Sequence, residues 1–140
     1  MYGMDRANLQ KLAVMKFSDA KLLCEAGSHS NAYYLAGYAV ELGIKAIIAR
    51  RFKADTIPDK VFVQDIYSHN LQKLIELTGI AEEFRRELQR SDAFNAKWGI
   101  AIRWTESARY EMIEPSEAQS LISAIGDAEA GILQWLMRQW

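Results

Sequence analysis

Asn31 to Phe52 reads NAYYLAGYAVELGIKAIIARRF, and the pattern of this stretch decides the fold. At roughly 100° per residue, Tyr34, Tyr38, Glu41 and Lys45 fall on one face of an α-helix. Ala32, Leu35, Ala36, Ala39, Val40, Gly43, Ile44 and Ile47 cover most of the remainder. A helix apolar nearly all round is enclosed by others, so a central, buried helix is expected here. Ala36, Ala39, Gly43 and Ala46 form a small-residue edge. Each internal glycine costs about 1 kcal/mol relative to alanine, and close approach of a neighbouring helix is the expected compensation.

The eighteen residues Ala32 to Ala49 are also apolar enough to raise a membrane span. Glu41 and Lys45 stand in the middle of it, at roughly 2.5–3.5 kcal/mol each on insertion scales, which argues for no membrane. With the glutamate four residues before the lysine, the two have the spacing of a helical ion pair. They are expected to be a buried polar pair whose further hydrogen bonds come from the Tyr34 or Tyr38 hydroxyls; a functional pair facing a cleft is the alternative.

A chain of 140 residues fits one domain, 1–140, and buries roughly 68–70% of its unfolded surface without a disulfide or metal staple. Its net charge of −1, from 17 basic and 18 acidic residues, gives no global field pointing to nucleic acid or an anionic membrane. One cysteine, Cys24, excludes an intramolecular disulfide. The N-terminal residues lack a charged region followed by an apolar run, so no signal peptide and a cytoplasmic location are expected.

From Asp5 to Ala26, apolar residues including Leu9, Leu12, Ala13, Ala20, Leu23 and Cys24 recur at helical spacing, with Asp5 placed to cap the start and Gly27 the end. Ser28 to Ser30 is too short a link for anything but an antiparallel hairpin with the central helix, and Ser30 is its expected N-cap. Beyond Phe52, Pro58 stops the helix, and a loop carrying Val61, Phe62, Val63 and Ile66 is expected to pack down. Ser68 or Asn70 opens a short helix to Thr78, Gly79 closes it, and Ala81 to Ala96 reads as another, with Phe84, Leu88 and Phe94 inward and Arg85, Arg86 and Arg90 outward. Residues 97–115 have no clean helical period. Ser116 with Gln119 makes a capping box for a last helix running to Trp140. No stretch alternates like a strand, so the expected architecture is all-α, an up-and-down bundle of four to five helices.

SNAYYLAGYAVELGIKAII, then HNLQKL, then RWTESARY ahead of a last amphipathic helix, together resemble the HEPN domain family over essentially the whole chain. The resemblance implies an up-and-down helical bundle and a homodimer. It further implies a minimal nucleotidyltransferase as partner in a toxin–antitoxin-like context, and in some members a ribonuclease toxin. That ribonuclease branch has an arginine separated by four to six intervening residues from the histidine that follows it, and this chain departs from the pattern. The three positions at that spacing hold Phe62, Val63 and Gln64 before His69, and Leu22, Leu23 and Cys24 before His29. No catalytic residue is carried over.

Among candidate ligand- or partner-binding residues, Arg103, Trp104, Arg109 and Tyr110 stand out, since a guanidinium grips phosphate bidentately and an aromatic ring offers a base a stacking face. The plainer reading makes Trp104 and Tyr110 core anchors and pairs the arginines with Glu106, Glu111 or Glu114. His69 is the fifth candidate: its ordinary pKa of about 6.5 suits acid–base work, though a histidine at a helix start more simply caps or hydrogen-bonds. Two histidines and one cysteine give no metal spacing, and no cofactor is expected. There is no Gly-rich phosphate loop, nucleophile elbow or paired-carboxylate motif. The expected function is a non-catalytic homodimeric module associated with a nucleotide or RNA; the alternative is a divergent, metal-independent ribonuclease working through Arg103, Arg109 and His69.

Overall fold

The computed structural model describes residues 4–140. Eight α-helices form among them: α1 Arg6–Glu25, α2 His29–Ala49, α3 Lys60–Ile66, α4 Leu71–Leu77, α5 Ala81–Arg90, α6 Asp92–Ala101, α7 Pro115–Gly126 and α8 Ile132–Arg138, with a 3₁₀ turn at Glu106–Tyr110 between α6 and α7. No strand occurs among the described residues. The fold is an all-α bundle in more and shorter helices than the four or five expected.

Helix α1 begins where Asp5 accepts a hydrogen bond from the Asn8 N–H at 2.9 Å. It ends where Gly27 turns into the left-handed region, φ +86°, letting the Ser28 N–H reach the Leu23 carbonyl at 2.8 Å. Helix α2 starts earlier than expected, with Ser28 at its N-cap position. Ser30 is instead a long-range acceptor, its Oγ taking the Ile113 N–H at 2.9 Å and tying the end of the 3₁₀ region to α2.

Helix α2 is the centre. It packs against α1, α4, α7, α8 and the 3₁₀ turn, and its residues from Ala39 to Ile48 are buried. It has the length and composition of a bilayer span, yet 78% of its most apolar window is buried inside the fold. Close approach occurs at both of its glycines. Trp140 donates its indole N–H to the Gly43 carbonyl at 3.1 Å. The indole of Trp104 lies so close over Gly37 that a Cβ there would stand 2.2 Å from the ring.

The departures from expectation have local causes. The segment after Phe52 contains α3, capped by Asp59 through the Phe62 N–H at 2.9 Å. Of its apolar residues only Ile66 is fully buried, while Val61 is exposed. The helix expected over 81–96 is two, because Ser91 leaves the helical region (φ −125°, ψ 108°) and recaps the chain through the Phe94 N–H at 3.1 Å. Their junction places Phe84 edge-on to Trp98 and Trp135, at 4.7 and 5.2 Å between ring centres. The last helix is likewise two: Asp127 leaves helical geometry, accepts the Ala130 N–H at 2.8 Å, and is followed by a turn to Gly131. Helix α7 starts at Pro115 with Glu114 at the N-cap, so the expected Ser116–Gln119 capping box does not form. Leu12, expected inward, is exposed.

Candidate functional site

The stripe of α2 that carries Tyr34, Tyr38, Glu41 and Lys45 changes character along its length. Tyr34 and Tyr38 stack, with centres 6.2 Å apart and planes 16° from parallel, and Trp104 tilts against Tyr34 at 6.1 Å. Burial, then the charge of Glu41, then Tyr34 push the Tyr38 phenol above its ordinary value. One turn further on, Glu41 and Lys45 form an ion pair of 3.0 Å, exposed by only 1% and 5%.

A buried carboxylate needs more than one donor. The second comes from His69, in the turn before α4, whose Nδ1 stands 3.1 Å from both Glu41 oxygens. The Tyr34 and Tyr38 hydroxyls do not take part. The other ring nitrogen, Nε2, meets the Glu106 carboxylate on the 3₁₀ turn at 3.0 Å. Lys45, Glu41, His69 and Glu106 form a chain of polar contacts from the core to the surface. It ends in an open groove of about 590 Å³ between the start of α4 and the 3₁₀ region, where Asn70, Lys73, Trp104 and Thr105 also face it.

Asn70 is held by its own local chemistry: its side chain caps α4 through the Lys73 N–H at 3.0 Å, and its N–H bonds the Ser68 hydroxyl at 3.1 Å. That double turn fixes the direction in which His69 leaves the backbone.

The four residues of the RWTESARY segment do not share one surface. Trp104 is buried, and its indole N–H is the single enclosed side-chain donor without a partner among the described residues. Arg103 is exposed on a separate groove with Tyr33, Ser116, Glu117 and Ser120; there burial, then Glu117 and Glu111, raise the Tyr33 phenol. Arg109 lies over the ring of Tyr110 at 4.9 Å, and Tyr110 is 78% exposed. The neighbouring Tyr110, more than Glu106 and Tyr34 beyond it, holds the Arg109 guanidinium above its ordinary value. Neither Arg103 nor Arg109 forms an ion pair among the described residues, and Glu106 goes to His69.

No group of three or more histidine, cysteine or acidic residues could hold a metal ion among the described residues. The two carboxylates at His69 face different nitrogens and do not converge on one point. Glu106, expected from the sequence as a partner for an arginine, pairs with His69 instead: it lies 37 positions away in the chain (106 − 69), and only the packing of the 3₁₀ turn on α2 brings it near. Comparison with family models, curated proteins and solved structures finds no match. By fold and site, the chain is an all-α protein with a buried charged cluster opening onto a polar groove.

Proposed function

We propose that this chain is a non-catalytic HEPN-like module, a homodimer that recognises a phosphate-bearing ligand, nucleotide or RNA, and partners a minimal nucleotidyltransferase. The observation that carries the proposal is the state of His69. Both of its ring nitrogens are engaged by carboxylates, so neither is free to take a proton from a ribose hydroxyl, and Glu106 opposes the approach of a phosphodiester. The sequence supports the same reading, having no arginine at the ribonuclease spacing before either histidine. Recognition falls to Arg109 and Tyr110, where a guanidinium without an ion pair among the described residues lies on an exposed ring and offers its outer donors to phosphate. Arg103, on its separate groove, is a second cation without an ion pair among the described residues.

Fluorescence anisotropy with single-stranded RNA and with a nucleoside triphosphate tests this reading. Arg109→Ala is expected to weaken binding by about 1–3 kcal/mol with the thermal melt unchanged, and wild-type affinity is expected to fall as salt rises. Equal binding by the variant would remove Arg109 from the recognition surface. A minimal nucleotidyltransferase encoded in the adjoining reading frame would support the partnership.

The divergent ribonuclease is the second reading, and one feature favours it: a buried carboxylate holding Nδ1 of a half-exposed histidine is also how a general base is oriented. In that case Glu106 yields its place to substrate.

A further inference from the structure

The inner end of the chain of polar contacts lies against a second cavity, away from the polar groove. Lys45, Ile48, Leu9, Ile66, Phe52 and Tyr67 enclose a half-open pocket of about 180 Å³ between α1, α2 and α3. Ile48, Leu9 and Ile66 are buried, while Phe52 and Tyr67 are exposed at its rim. Among the described residues, Lys45 is the one charged residue that lines it. Its ammonium donates to Glu41 Oε2 at 3.0 Å, the one acceptor it meets among the described residues, although an ammonium carries three donors. A buried cation with donors to spare, in a residue that lines a pocket of otherwise uncharged side chains, calls for an acceptor.

We propose that this pocket binds a small, neutral, largely apolar molecule bearing one carbonyl oxygen, which accepts a hydrogen bond from Lys45. The size fits one ring or a short branched chain, since about 150 Å³ already accommodates benzene. The charge requirement is equally definite. Lys45 has no acceptor, so a ligand that only donates gains nothing from it. Glu41 already neutralises it, so a ligand carboxylate would bury a net negative charge beside Glu41. A ketone, ester or amide meets both conditions. The inference does not depend on the function proposed above.

Methyl-detected NMR titration of the full chain tests it, using cyclohexanone against methylenecyclohexane, which has nearly the same shape but no oxygen. Cyclohexanone is expected to give saturable shifts at the Ile48 and Ile66 methyls and to bind about tenfold or more tightly than methylenecyclohexane, the margin of a charge-assisted hydrogen bond. Lys45→Met, which keeps the stem and removes the ammonium, is expected to abolish that preference. Ala49→Phe, which fills the pocket and leaves the ion pair in place, is expected to abolish binding of both probes. Should Lys45→Met fail to fold, the comparison of probes in the wild type together with Ala49→Phe decides. Equal affinities for the two probes, no saturable shift, or binding that survives Ala49→Phe would overturn the proposal.

Discussion

Glu41 accepts from Lys45 and from His69 while almost fully enclosed, and removing one member of such a cluster leaves uncompensated charge. Glu41→Ala is therefore expected to destabilise by about 3–5 kcal/mol, against under about 1 kcal/mol for an exposed pair. The double variant Glu41→Leu/Lys45→Met, which removes both charges and fills the space, is expected to recover most of that loss. Thermal and denaturant melts of the single and double variants measure it, and a Glu41→Ala melt like wild type would contradict the buried-pair account. The ion pair itself was legible from the i, i+4 spacing inside an apolar helix. Its third partner was not, because His69 lies 28 positions from Glu41 and reaches it only after α4 has docked. The same limit applies to Trp104: its burial depends on Gly37, a residue whose spacing says helix and whose missing side chain becomes meaningful only when the indole lies on it.

Among the elements, the two long helices were readable because helical periodicity runs over twenty or so residues, with the cap at Asp5 agreeing for α1 but Ser28 standing in place of Ser30 for α2. The breaks within α5–α6 and α7–α8 were hidden because apolar spacing continues across them while one residue redirects the backbone. Ser91 does so with a side-chain cap and Asp127 with a turn. The glycines separate close packing from conformational cost. Gly37→Ala is expected to destabilise by about 1–3 kcal/mol, because its Cβ would overlap the Trp104 indole. Gly99→Ala, in α6 with nothing within 4 Å of the added carbon, is expected to stabilise by about 0.5–1 kcal/mol. Denaturant melts giving both variants the same sign would contradict the packing at Gly37.

The turn between α7 and α8 carries a pH dependence of known sign. The Ala130 N–H, with smaller help from the Glu129 N–H and Lys97, holds the Asp127 carboxyl below its ordinary value. A depressed folded-state value means that the contribution is present above the unfolded value, about 3.9, and is lost as pH falls through the folded one. Asp127→Asn keeps an acceptor but cannot titrate. Its melting temperature is expected to fall less steeply than that of wild type below about pH 4; parallel curves would remove Asp127 from the acid response.

For the whole molecule, the proposed homodimer draws on an exposed apolar face of α1. Leu12, Met15 and Leu22 are exposed there, at spacings that put them on one side of the helix, and Tyr38 lines a groove together with Leu12 and Met15. Light scattering at micromolar concentration is expected to find a two-chain particle, and Met15→Glu a single chain; a monomeric wild type would contradict the dimer.

Whether the molecule binds or cuts turns on His69. Purified protein incubated with total cellular RNA in the presence of a metal chelator is the most direct measurement. The account predicts intact RNA for wild type and for His69→Ala alike. Cleavage by wild type that disappears in a folded His69→Ala protein would contradict it, and would make His69, oriented by Glu41, a catalytic base.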